Sequence, residues 1–177
     1  MTSEQPEHTQ PGTWNAIAAM ARNRVIGNQG TIPWRIPEDF RWVKQCTTGQ
    51  VIVMGRRTFE DLGKPLPRRT NLVLSRTLCA PESVVVLPDV ESLLRWSRTA
   101  PAPIWIFGGA TIYRQTLAYC SDLYMTLVDA EPEGDTFFPE FESEFSTPRL
   151  IREGDGYSIY HYARTKEATP TTPAPSS

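Results

Sequence analysis

Apolar residues in this chain gather in short dense runs separated by stretches of helical spacing, and that alternation predicts strands and helices in turn. Residues 14–21, 51–54, 71–75, 84–87 and 104–107 read as strands, several of them continuously apolar as in a sheet covered on both faces. Residues 37–47, 56–62, 89–99 and 110–117 read as helices, which makes this part of the chain α/β with right-handed crossovers. After Ser121 the texture changes to longer β-rich stretches, 123–130, 148–153 and 157–165, the last two joined through Gly154-Asp155-Gly156 as a hairpin. Residues 22–35 lack regular apolar periodicity and carry Gly27, Asn28 and Gly30, so they read as a loop.

One predicted helix carries a carboxylate where its face should be apolar. Pro37 suits the first position of a helix, and the acidic residues beside it favour the positive helix end. Phe40, Val43 and Thr47 recur at helical spacing and predict a buried face, which Asp39 shares with Val43. A carboxylate set against a core is either held by structural partners or tuned for a ligand.

Composition narrows the picture. With 177 residues, 40% of them hydrophobic, the chain suits one domain that buries roughly 70% of its unfolded surface. We expect that domain over residues 14–165, with a polar, flexible extension at 1–13 and a disordered Thr/Pro/Ser-rich tail at 166–177. A net charge of −2 leaves no basic footprint for nucleic acid, and no apolar run approaches the ~20 residues of a membrane helix. The start of the chain has no apolar signal region, so a cytoplasmic location is expected, and no long amphipathic seam argues against a monomer. Cys46, Cys79 and Cys120 lie far apart without C-x-x-C spacing, so neither a disulfide framework nor a zinc site is indicated.

Two strand-to-helix junctions carry the chemistry. Met54-Gly55-Arg56-Arg57-Thr58 and Phe107-Gly108-Gly109-Ala110-Thr111 each end a buried strand and open a helix whose first amides are free to meet an anion. Each alone fits an ordinary sharp turn. Together they suggest two phosphate sites on one sheet edge, with Arg57 and Arg76 adding charge for a third phosphate. The G-x-G-x-x-G fingerprint is absent, which argues against a standard Rossmann site. His8 and His161 are the only histidines, there is no G-x-S-x-G, and no metal-ligand set clusters, so an enzyme here must work with one carboxylate and a bound cofactor.

Several segments, in order and at matching spacings, resemble one family. They are Ala18-Ala19-Met20-Ala21, Arg24-Val25-Ile26-Gly27, Ile32-Pro33-Trp34, Pro37-Glu38-Asp39, Val53 through Glu60, Pro65-Leu66-Pro67, Asn71 through Arg76, Phe107-Gly108-Gly109 and Glu133 through Pro139. The family is dihydrofolate reductase, and the match spans about residues 14 to 165. The resemblance implies a mainly parallel sheet of about eight strands flanked by four helices and ending in an antiparallel hairpin. It also implies reduction of 7,8-dihydrofolate to tetrahydrofolate by NADPH, in support of one-carbon metabolism, and sensitivity to antifolate inhibitors.

Residue by residue, the resemblance makes Asp39 the acidic group that binds the pteridine, Thr126 its hydrogen-bond donor and Trp34 the side chain that orders a nearby water. Ile17, Ala18, Val43, Leu62, Lys64, Leu66 and Phe107 would line the substrate pocket, and Arg69 would clamp the α-carboxylate of the glutamate moiety. NADPH would be held by Ala19, Ile26, Gly27, Asn28, Gly30 and Thr31 around the nicotinamide and its lid, and by Gly55, Arg56, Arg57, Thr58, Leu74, Ser75 and Arg76 around the adenosine phosphates. Gly108, Gly109, Ala110, Thr111, Ile112 and Tyr113 would complete the site from the other helix. Val43 stands where many relatives carry phenylalanine, and Ala110 where a third glycine is frequent. The glycine turns and arginines alone would equally suit an NADPH-dependent pyrimidine reductase of riboflavin synthesis or a non-catalytic nucleotide-binding module. Asp39 paired with Arg69 separates those readings from the first.

Overall fold

The computed structural model describes residues 10–165; the chain ahead of residue 10, with His8, and the tail from residue 166 lie outside the described residues. Ten strands and four α-helices follow one another as β1 (Trp14–Ala21), β2 (Val25–Gly27), α1 (Pro37–Thr47), β3 (Val51–Gly55), α2 (Arg56–Leu62), β4 (Thr70–Leu74) and β5 (Val84–Leu87). Next come α3 (Val90–Ser97), β6 (Ile104–Gly108), α4 (Ala110–Thr116), β7 (Asp122–Val128), β8 (Thr136–Phe137), β9 (Arg149–Gly154) and β10 (Tyr157–Ala163).

Eight strands form one sheet in the order β5-β4-β3-β6-β1-β7-β10-β9. Pairing is parallel from β5 through β7 and antiparallel between β7 and β10 and between β10 and β9. The continuous apolar runs explain this arrangement, because alternate residues of one strand feed cores on opposite faces of the sheet. Val51 and Val53 join the cluster with Leu93, Leu94 and Ile112 of α3 and α4, whereas Ile52 and Met54 join the cluster with Trp42, Cys46 and Phe59 of α1 and α2. Residue 12 already belongs to this body, since Gly12 N–H donates to Ala102 O at 3.2 Å.

Two expectations are corrected. The 22–35 stretch is not wholly irregular, because β2 pairs antiparallel with β8 as a separate two-stranded ribbon, Val25 opposite Phe137. Strands of three and two residues are too short to show a period of two. In α1 the predicted Phe40 face is also displaced: Phe40 is 56% exposed, and the buried side chains are Trp42, Cys46 and Thr47. Trp42 is apolar enough to turn inward despite lying between Arg41 and Lys44, and Arg152 stacks over its ring at 5.5 Å. Asp39 and Val43 remain half-buried along the edge of the helix.

Candidate active site

The sheet changes direction of winding between β3 and β6. From β3 the chain leaves through α2 toward β4, and from β6 it leaves through α4 toward β7, so neighbouring strands send their helices to opposite faces. Such a switch point opens a crevice at the carboxyl ends of the strands. Gly55 and Gly109 are the N-caps of α2 and α4, neither with a side-chain cap bond. A Cβ on Gly55 would stand 3.0 Å from Ile112 Cγ1, and one on Gly109 would stand 3.5 Å from Thr58 Oγ1, so the two helix starts approach each other across the crevice. Gly108 has φ +117, which L side chains rarely adopt, and its peptide bond to Gly109 is cis. Glycine leaves backbone amides uncovered at both helix starts, as binding of a pyrophosphate requires.

Around this cradle the arginines differ in freedom. Arg56 Nε donates to Glu60 Oε1 at 2.6 Å and its Nη1 donates to Thr77 Oγ1 at 2.7 Å, so its guanidinium is fixed beside the loop after β4. Arg57 and Arg76 are exposed. Ser75 is half-buried, and its Oγ accepts from the N–H groups of Thr77 and Leu78, shaping the turn that carries Arg76; Leu74 closes β4 beneath it. Ala110 and Ile112 are buried and Thr111 is exposed. Tyr113 is buried, its hydroxyl donating to Ile17 O at 2.7 Å, and burial pushes its pKa upward. It is a strut between α4 and β1, with its ring tilted against Phe138 at a centroid distance of 4.8 Å.

On the other rim stands Asp39. Thr126, 2% exposed on β7, donates its hydroxyl to Asp39 Oδ1 at 2.5 Å. Burial raises the Asp39 pKa from its ordinary value, and the Thr126 hydrogen bond pulls it back only in part. Four and eight residues further along α1, Val43 and Thr47 follow on the same stripe. Thr47 Oγ1 accepts from Arg69 Nε at 2.8 Å, and Arg69 Nη1 donates to Pro67 O at 3.0 Å. At about 1.5 Å rise per residue, Asp39 and Thr47 stand about 12 Å apart along the helix. Ile17, Val43, Leu62, Leu66 and Phe107 all belong to the apolar cluster on the α1 face of the sheet. Ala18 packs against the opposite cluster instead, Ala19 is half-buried, and Lys64 is exposed.

Two residues that the sequence did not mark as site residues hold Arg69 in place. Thr47 is its anchor on α1, and buried Asn71 staples the loop before it, accepting from Leu66 N–H and donating to Leu66 O and Arg69 O. A buried polar side chain at the start of an apolar strand was the available signal for Asn71.

The segment after β2 folds into a tight turn. Ile26 is half-buried, Gly27 O accepts from Asp135 N–H, and Asn28 and Thr31 bond each other's backbones around a turn holding Gly30 at φ +79. Gln29 N–H donates to Asp135 Oδ2 at 3.0 Å, tying the turn to the loop before β8. Trp34 is half-buried and lines an open cleft of about 740 Å³ with Ile32, Pro37 and Phe40; Asp39 is not part of its lining.

A sheet that reverses its winding between two glycine-led helix starts, with a buried carboxylate on one rim, is the architecture of a nucleotide-dependent α/β enzyme. The chain belongs to the dihydrofolate reductase family, whose model, described as Dihydrofolate reductase, matches residues 13–162. A dihydrofolate reductase of Haemophilus influenzae is 41% identical over 160 residues, covering 88% of this chain and 99% of that protein. Dihydrofolate reductase HdrB of Haloferax volcanii is 40% identical over 162 residues, covering 86% and 84%. Among solved structures, a dihydrofolate reductase from Enterococcus faecalis complexed with NADP(H) and RAB-propyl superposes with a TM-score of 0.79 at 32% identity, over 88% of this chain and 98% of that one. Among the described residues no helix is long and apolar enough to cross a membrane.

Proposed function

We propose that Asp39, Thr126 and Arg69 carry the substrate chemistry of this chain, whose activity is the NADPH-dependent reduction of 7,8-dihydrofolate to 5,6,7,8-tetrahydrofolate. The observation that supports these roles above others is the stripe along α1, with an acid at Asp39 and, about 12 Å further along the helix, Thr47 anchoring the Arg69 guanidinium. A planar, hydrogen-bonding heterocycle suits Asp39, and a carboxylate at the far end of an apolar spacer suits Arg69.

The residues present fit NADPH. Side chains at Gly55 and Gly109 would intrude between the two helix starts, and Arg56, Arg57 and Arg76 surround the strand ends where the additional phosphate of NADPH would lie. When bound, the cofactor supplies the hydride that reaches C6 of the pteridine. Asp39 accepts hydrogen bonds from N3 and the 2-amino group, and its negative charge draws the ring toward the form that takes a proton at N5 from water. Thr126 keeps the carboxylate oriented, and Trp34 orders the water beside it. Ile17, Val43, Leu62, Leu66 and Phe107 exclude solvent from the ring and spacer, and the 26–31 segment covers the nicotinamide side. Gly55, Thr58, Gly108, Gly109 and Thr111 hold the pyrophosphate through backbone and hydroxyl groups.

The same reading places the chain in the cytoplasm as a monomer, with competitive antifolates bound at Asp39. Loss of NADPH absorbance on addition of dihydrofolate tests the activity, and a folded chain that leaves NADPH unchanged refutes it. Burial of Asp39 favours this reading over a non-catalytic nucleotide module, for which a desolvated carboxylate has no use.

A further inference from the structure

Arg24 is held in a way that neither the substrate groove nor the cofactor cradle explains. It sits at φ +68, a left-handed conformation uncommon for a side chain of this size, in the turn between β1 and β2. Its side chain, 28% exposed, reaches across to the segment after β8. There Nε donates to Phe138 O at 3.3 Å, Nη2 donates to Pro139 O at 2.6 Å, and Nη1 meets Glu142 Oε1 at 2.5 Å. The guanidinium also lies 5.5 Å from the centre of the Phe141 ring. Its backbone joins the same contact, since Phe138 N–H donates to Arg24 O at 2.9 Å. Sequence separations of 114 to 118 residues are bridged by this one side chain.

The two segments so joined lead to different places, one into the 28–31 turn and the other to Tyr113 of α4. Arg24 is followed directly by β2, whose Gly27 leads into the 28–31 turn that, on the functional reading above, covers the nicotinamide side. Phe138 packs its ring, tilted, against Tyr113, which in turn donates to Ile17 O and lies within 3.4 Å of the position a Gly108 side chain would take. A shift of the 138–142 segment is therefore felt at Tyr113 and Gly108, and a shift of β2 is felt at the covering turn.

We propose that Arg24 is a positioning residue for hydride transfer, its guanidinium locking the stem of the covering segment to the wall behind Tyr113 so that both sides of the nicotinamide site keep a fixed spacing. The proposal rests on the dihydrofolate reductase reading above. Arg24 touches neither substrate nor cofactor in it, so removal acts on geometry and leaves both binding surfaces intact. Misplacement of reacting groups by a fraction of an ångström lowers the rate of the chemical step far more than affinity.

The test compares the full chain with Arg24→Leu, Arg24→Lys and Glu142→Gln, and with Ile104→Val as a variant that loosens the core away from this contact. The readouts are the single-turnover rate of NADPH oxidation, its isotope effect with cofactor deuterated at the transferred position, and dissociation constants for NADPH and for a folate analogue. Arg24→Leu is expected to slow hydride transfer about tenfold with the isotope effect fully expressed and both dissociation constants within about twofold. Arg24→Lys keeps the charge but loses the fork and should fall between the two. Glu142→Gln, which leaves the carbonyl partners at Phe138 and Pro139, should slow the step about twofold. An Arg24→Leu chain that melts earlier, like Ile104→Val, yet keeps its hydride-transfer rate overturns the proposal. Where Arg24→Leu fails to fold, an unchanged rate in Arg24→Lys overturns it equally. A native chain with no NADPH oxidation overturns the functional reading and this proposal together, whereas a native chain that turns over isolates the proposal for judgement.

Discussion

Asp39 and Asp122 serve opposite ends of one strand and are pushed in opposite directions. At the start of β7, Asp122 accepts from Ser121 Oγ at 2.7 Å and lies 2.7 Å from His161 Nε2, and these partners hold its pKa below the ordinary value although burial alone would raise it. Toward the other end Thr126 offers Asp39 one hydrogen bond, too little to offset burial, and the pKa is raised. The same strand thus presents one carboxylate that is fully provided for and one that is left in need of a partner. The contrast teaches where ligand binding is built into the fold: toward the carboxyl end of the sheet, a partly desolvated carboxylate with one protein hydrogen bond favours a ligand that brings N–H groups.

Asp39→Asn tests the functional half of that contrast and should have the largest effect. Removing the charge while keeping the shape is expected to lower kcat/KM for dihydrofolate by about 10²–10⁴-fold. Its effect on stability carries the opposite sign. A carboxyl whose pKa is raised by folding binds its proton more tightly in the folded chain, so the native protein loses stability as pH rises through the ordinary Asp value of 3.8 and beyond. The ligand-free Asn variant, neutral at every pH, should therefore melt higher than the native chain near neutrality, and the gap should close in acid. A variant that melts lower at neutral pH would show Asp39 to be a structural group like Asp122.

Arg69→Leu comes next, because it cuts the far end of the groove and leaves Asp39 untouched. Loss of a charge-assisted contact costs about 2–3 kcal/mol, or roughly thirty- to a hundred-and-fiftyfold. That loss should appear in KM for dihydrofolate, with kcat little changed, and should be absent for a truncated pterin lacking the glutamate carboxylate. Equal loss for both substrates would assign Arg69 to the loop through Thr47 and Pro67 instead.

Much of the scaffold was legible in the chain because burial on both faces writes continuous apolar runs in β3, β4 and β6, while the helices show helical spacing and β9 and β10 meet at the Gly154-Asp155-Gly156 turn. What escaped were features set by distant contacts. The β2–β8 ribbon depends on Gly134, where a Cβ would stand 2.3 Å from Val25 Cγ1, and no local spacing reveals that approach. The buried face of α1 was misassigned to Phe40 because several faces of a helix can be drawn through the same apolar residues, and the pocket beneath Trp42 decides among them. Asp39 stood out by its setting, but its pairing with Thr126, 87 residues away, and the place of Arg69 came from family resemblance. Thr47 and Arg24 act by holding other groups, which leaves no mark in residue type alone, whereas Asn71 is marked only as a polar residue in an apolar strand.

Asp122→Asn tests the structural half of the contrast, with the smallest effect of the three on turnover. Both members of the Asp122–His161 pair are largely covered, at 23% and 17% side-chain exposure, so the contact is only weakly screened by solvent. Losing its charge-assisted hydrogen bonds should cost about 1–2 kcal/mol of folding stability. A carboxylate with a depressed folded pKa contributes stability that is present above the ordinary value of 3.8 and disappears as pH falls through the lower folded value. The native chain and the Asn variant should therefore differ most near neutral pH and converge in acid, the same pH trend in the gap as for Asp39→Asn but with the native chain now the more stable. Turnover should stay within about twofold, because Asp122 lies four residues from Thr126 along β7, about 13 Å at ordinary strand rise. A large loss of activity at unchanged stability would mean that the two ends of β7 are coupled, and that the division between a satisfied end and a poised end is not physical.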